Sequence, residues 1–156
     1  MDRGKTRDVI LTLPLIFVVS FMLNYIWESV HEAFLYKAFK CIADKYIVMM
    51  LIASVPDALM ILGIYLLVAA LWKDILWLQK MKKNQVYTAC LAGLVFAAAI
   101  EYWNVLANKN WSYTIYMPTI FGIGISPLVQ LSATGLLTFW VVRKILYQKV
   151  TCEDEE

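Results

Sequence analysis

Residues 46–72 read YIVMMLIASVPDALMILGIYLLVAALW, 27 positions with a single charged side chain, Asp57. About 20 apolar residues in a helix cross a bilayer core. In lipid only a helix or a closed barrel satisfies its own backbone groups, so a run this long and apolar is read as a transmembrane helix. Three further stretches meet the same criterion, at about 9–30, 86–106 and 118–146. The whole chain agrees with them: of 156 residues 62% are hydrophobic and 17% charged, with a mean hydropathy of +0.66. Soluble proteins average about 45–50% apolar and about 25% charged. The sequence therefore predicts an all-α integral membrane bundle of four transmembrane helices, a single domain over 1–156 ending in an acidic tail at 151–156. Six Gly, four Pro and a net charge of +2 exclude collagenous, disordered and nucleic-acid-binding classes. Cys41, Cys90 and Cys152 are too scattered for a disulfide framework or a zinc site. The first span follows Arg3, Lys5 and Arg7 as a signal peptide would, but its apolar run is too long and lacks a small-residue cleavage site, so it is expected to stay uncleaved.

Lysine and arginine set the orientation. With four spans, the N-terminus, the middle loop and the C-terminus share one side and carry Arg3, Lys5, Arg7, Lys73, Lys80, Lys82, Lys83, Arg143, Lys144 and Lys149. The other side carries Lys37, Lys40, Lys45 and Lys109, so both termini are expected in the cytoplasm. Short amphipathic interfacial segments are expected between spans. Phe34, Leu35, Ala38, Phe39 and Ile42 recur at helical spacing among lysines, which suits a helix lying flat at the outer interface. Ile75, Leu76, Trp77 and Leu78 precede Lys80, Lys82 and Lys83, the pattern of an aromatic and basic anchor facing the inner headgroups.

The polar residues within the spans carry the functional information. Asn24, Glu28 and His31 follow i, i+4, i+7 on one helix face with Trp27 beside them; Asp57 follows Pro56; Glu101, Asn104 and Asn108 follow i, i+3, i+7; and Ser126, Gln130 and Thr134 follow i, i+4, i+8. Given the expected orientation, all four faces meet in the outer half of the bilayer, while the inner halves are almost wholly apolar. An ionised acid near mid-bilayer costs roughly 2.5–3.5 kcal/mol, against a total stability of about 5–15 kcal/mol. Asp57 and Glu101, with Glu28, would together cost several kcal/mol unless paired, hydrated or protonated; a polar pocket inside the bundle would offset that cost, and an acid held in low dielectric favours its neutral form, which suits proton donation.

The inventory removes several chemistries. The single histidine, His31, excludes histidine-box di-iron enzymes and bis-histidine haem within one chain. Glu28-Ser29-Val30-His31 has the Glu-x-x-His spacing of bundle metal sites, but one copy with few other carboxylates leads to no expected metal and no expected cofactor. Gly122-Ile123-Gly124-Ile125-Ser126 is neither a nucleophile elbow nor a dinucleotide fingerprint. Gly122 with Ser126, and Gly93 with Ala97, read as small-residue pairs for close helix packing.

Between 97 and 140 the chain carries Glu101-Tyr102-Trp103-Asn104, Asn110-Trp111-Ser112-Tyr113 and Gly122-Ile123-Gly124-Ile125-Ser126-Pro127 before an apolar helix. This stretch resembles the lycopene-cyclase-type small membrane domain of prokaryotic carotenoid synthesis. The resemblance implies that Glu101 is the intramembrane acid, Trp111 and Tyr113 the loop aromatics and Pro127 the helix-opening proline. Val129 and Gln130 stand where that family has the two glutamates of its Pro-x-Glu-Glu motif, so those positions supply no acid to protonate a polyene. The implied ligand is isoprenoid-like. A carbocation in a dry pocket is stabilised by aromatic faces, and Trp27 and Trp103, each within a helical turn of an acid, fit that role, whereas Tyr113 and Tyr116 read as an interfacial belt.

The expected function is a membrane-embedded enzyme or binding protein for a hydrophobic, isoprenoid-like or lipid molecule. Any enzyme would be an isomerase or cyclase-like acid–base catalyst using Glu101, Asp57 and Glu28, with Asn24, Trp27, His31, Trp103, Asn104, Trp111 and Gln130 binding substrate. The alternatives are a non-catalytic assembly subunit that grips a partner membrane protein, and a small proton-coupled transporter, which would need a homodimer to enclose a pathway.

Overall fold

A computed structural model describes residues 3–35, 43–109 and 112–147. Four long helices account for nearly all of it: α1 (Arg3–Leu35), α2 (Ala43–Trp72), α3 (Lys83–Glu101) and α4 (Ile125–Tyr147). A π-helical extension of α3, Tyr102–Ala107, precedes a two-stranded antiparallel hairpin of β1 (Thr119–Ile120) and β2 (Ile123–Gly124). Each of the four spans, with α3 continuing through its π-helical extension to Ala107, is long and apolar enough to cross a membrane, and the chain is a multi-pass membrane protein. Each helix packs on its sequence neighbours and α1 packs on α4, which closes a ring, with α2 and α4 also touching across the diagonal. Contacts such as Thr12 with Tyr147 and Asn24 with Gln130 show that α1 and α4 run antiparallel and that the chain termini share one end.

The end holding the termini is a dry aromatic core. Ile16, Ile61, Ile64, Tyr65, Val68, Trp77, Phe139 and Val142 are each 2% exposed or less. Trp77 lies with its ring centroid 5.6 Å from that of Tyr65 and 5.3 Å from that of Phe139. The chain reaches this position through a helix stop. Lys73 adopts φ 53° and the Asp74 and Lys73 amides donate back to Ala69 and Ala70, the Schellman arrangement that ends a helix. Asp74 Oδ1 accepts from the Leu76 amide at 3.0 Å, the Tyr65 hydroxyl donates to Ile75 O, and Trp77 Nε1 donates to Tyr65 O at 3.3 Å. This corrects the inner anchor expected from the sequence: Leu76, Trp77 and Leu78 turn into the bundle, because the Schellman turn reverses the chain and the aromatic area they bury outweighs what an interface offers.

The fourth helix begins at Ile125, seven residues after the expected Pro118. The Ile125 amide donates to Pro118 O at 2.9 Å, and Phe121 (φ 52°) and Gly122 (φ 80°) form the two-residue turn of the hairpin between them. Positive φ at both central residues is the geometry that twist-matched hairpins need. Gly122 therefore serves a turn, not the helix packing expected of it with Ser126. Gly93 does serve packing, since a Cβ there would sit 2.8 Å from Ser132 Oγ on α4. The flat interfacial helix expected around 34–45 centres on residues 36–42, outside the described residues, and Phe34 and Leu35 belong to α1. Replacing Trp77 by alanine is expected to destabilise the protein by about 3–5 kcal/mol, whereas Trp72→Ala, on a ring 41% exposed, costs far less; unfolding in neutral detergent measures both.

Candidate functional site

Burial along α1 falls on Thr12, Ile16, Ser20, Asn24 and His31, the stripe that a helix turns toward its neighbours. On α4 it falls on Gln130, Thr134 and Thr138. In the half of the bundle near the termini these hydroxyls bond within their own helices, Thr12 donating to Asp8 O, Ser20 to Ile16 O and Thr138 to Thr134 O, with the Thr12–Tyr147 contact as a link from α1 to α4. Farther from the termini the side chains reach across. Gln130 Nε2 lies 2.5 Å from Glu28 Oε1, 3.0 Å from Asp57 Oδ2 and 3.3 Å from Asn24 Oδ1. An amide nitrogen has two hydrogens, so three acceptors on two other helices share them. Asn24 is fully buried and anchors the cluster from beneath: its Nδ2 donates to Ser20 O at 2.9 Å and its Oδ1 lies 3.2 Å from Thr134 Oγ1. Glu28 on α1 and Asp57 on α2 thus meet at one amide of α4.

This cluster faces a cavity of about 610 Å³, within the size range of small-molecule sites. Its polar lining is Glu28, His31, Glu32, Asp57, Glu101, Ser112 and Gln130, and the remainder is apolar, from α2, α3 and the start of α4. Pro127 is the third residue of α4, where its missing N–H leaves no intrahelical bond unmade. Glu101 is 5% exposed and accepts a hydrogen bond from the Tyr113 hydroxyl, which in turn accepts from the Gly124 amide at 3.0 Å. Burial, followed by the bond to Glu101, pushes the Tyr113 phenol above the ordinary tyrosine range, so it stays a donor. Gly124 permits this approach: a Cβ there would lie 3.0 Å from Met117 Sδ and 3.1 Å from both Pro127 Cδ and Tyr113 Cζ. The loop is tied to the end of α1 as well, through the Thr114 amide donating to Leu35 O at 2.9 Å.

Of the residues expected from sequence, Glu28, Asp57, Glu101, His31 and Gln130 line one cavity and Asn24 supports it. Trp27 stands beside the site with its ring edge-on to His31, centroids 6.3 Å apart. Trp103, 63% exposed, and Asn104, which donates to Ile100 O on its own helix, are not among the residues that line the cavity. The cause is the π-helix that starts at Tyr102, in which Asn108 N bonds to Trp103 O five residues back. That wider turn breaks the i, i+3, i+7 register with Glu101. Trp111 lies outside the described residues. Sequence reading missed Glu32, although it follows Glu28 by four residues, and read Tyr113 as belt. Among the described residues no three His, Cys, Asp or Glu side chains form a metal-binding group.

Gln130→Leu, which leaves Glu28, Asp57 and Asn24 without their shared donor, is expected to lower stability by about 1–3 kcal/mol. Asn108→Ala, at an exposed position, should stay within about 0.5 kcal/mol of wild type; thermal unfolding in detergent compares them. No protein-family model, curated protein or solved structure matches this chain.

Proposed function

We propose that the protein is a membrane-embedded enzyme or binding protein for a hydrophobic, isoprenoid-like or lipid molecule, held in the cavity between the four helices. The observation that carries this reading is the joining of Glu28, Asp57 and Gln130, from three different helices, at the wall of a cavity that is otherwise largely apolar. A purely structural polar contact would close on itself and leave no room beside it. In the catalytic form of the proposal, Glu28 or Asp57, in its protonated form, gives its proton to the substrate and a carboxylate of the same cluster takes a proton back. The cycle is therefore an isomerisation with no net consumption. Glu101, held by Tyr113, is the third acid. The likeness to the lycopene-cyclase-type domain fits the same picture, with Glu28 and Asp57 standing in for the acids that the chain lacks at 129 and 130.

The proposed topology places both termini in the cytoplasm and the cavity toward the opposite leaflet. Supporting it, Lys5, Arg7, Lys73, Lys80, Lys82, Lys83, Arg143 and Lys144 gather at the end holding the termini, while Lys45 and Lys109 are the cations at the other end among the described residues. The Trp77 core fills the end near the termini, which favours a one-sided binding site over a transport pathway.

Lipid extraction of the purified protein tests the proposal. Wild type should carry an apolar compound enriched over the surrounding membrane, and Ala53→Trp, which fills the cavity from α2, should lose it. Val55→Trp, on an exposed position of the same helix, should retain it. Indistinguishable extracts from all three would overturn the proposal.

A further inference from the structure

We infer that the molecule taken by this cavity has a head that donates hydrogen bonds and bears no negative charge, an amine or a hydroxyl, on an apolar chain lying against α2 and α3. The inference rests on the ligand-binding reading above and narrows it to a substrate class. Four carboxyl groups line the cavity, those of Glu28, Glu32, Asp57 and Glu101, and among the described residues no lysine or arginine does. Among them His31 is the one lining side chain able to carry a positive charge. Lys45 and Lys109, the cations at this end of the bundle among the described residues, are exposed and line no part of it. Two of the donors at the cavity, moreover, are already engaged. The Gln130 amide serves Asn24, Glu28 and Asp57, and the Tyr113 hydroxyl serves Glu101. What the site offers a ligand is chiefly carboxyl oxygen, with the Ser112 hydroxyl and the His31 ring beside it.

A phosphate, diphosphate or carboxylate head entering here would leave water to sit beside like charge with no lysine or arginine among the described residues to pair it, and an unpaired buried charge is strongly penalised. An ammonium or hydroxyl head meets acceptors, and a cation also relieves the mutual repulsion of the acids. The chain has its own place. Met49, Ala53, Met60, Ala97 and Ile100 form an apolar wall along the pair of neighbouring helices that pack least closely in the ring. Two of these are methionines, whose unbranched side chains adapt to a ligand's shape. Pro56, exposed on α2, stands at the rim, so a chain reaches the wall from the side of the bundle.

The test uses the full chain in a neutral maltoside detergent with three probes of one chain type: oleylamine, oleyl alcohol and oleyl phosphate. Thermal unfolding and native mass spectrometry are read for each probe, on wild type and on Ala53→Trp. The amine or the alcohol should bind wild type and raise its unfolding temperature. The phosphate should bind at least about tenfold more weakly, and the shifts should vanish in Ala53→Trp. In the Glu28→Gln, Asp57→Asn double variant the advantage of amine over phosphate should shrink. Phosphate binding as tightly as amine or alcohol would overturn the choice of head while leaving a ligand cavity in place. Failure of all three probes to bind wild type, or shifts that persist in Ala53→Trp, would overturn the cavity reading itself.

Discussion

A carboxyl group on a helix that crosses lipid has no water to bond to, so its partners must come from other helices. That constraint orients the bundle. Asp57 on α2 and Glu28 on α1 are both bonded by Gln130 on α4, which fixes how three helices are rotated about their axes. Asn24 and Thr134 complete the fixation below the cluster. Glu101 on α3 finds its donor in the loop rather than in a helix, and so draws the hairpin segment against that end of the bundle. Apolar packing alone would leave the rotations less determined, because lipid chains compete with any leucine face.

The two ends of the bundle consequently differ. Near the termini, side chains of high volume interlock and the Ser20 and Thr138 hydroxyls bond to their own helices, which fills the interior. At the other end, the helices are held apart by a polar cluster and by the π-helical widening after Glu101, and a cavity remains. One end supplies stability and the other supplies a place for chemistry, a division common where a site needs a rigid base.

The number of helices and the identity of the interior acids were legible in the sequence. Runs of apolar residues leave little choice of element, and an acid in such a run is conspicuous. That Glu28, Asp57, Glu101 and Gln130 share one cavity followed from their depth along helices of alternating direction. Rotation within the third helix was not legible beyond Glu101, since helical spacing assumes regular turns and the π-helix at Tyr102 departs from them. Trp77 was misplaced because a Trp beside lysines has the composition of an interfacial anchor, and only the left-handed turn at Lys73 reveals that the chain doubles back. Tyr113 depends on contacts far apart in sequence, with Glu101 and Gly124, which no local pattern encodes.

The joining of Asp57 and Gln130 inside the bundle is most directly tested by a double-mutant cycle on unfolding free energy in detergent, with Asp57→Ala, Gln130→Ala and the pair. Side chains in one hydrogen-bonded network show coupling of about 0.5–3 kcal/mol, and a value in that range is the expected result. Strict additivity of the two substitutions would mean that the groups do not meet, and with that the common cavity would be lost.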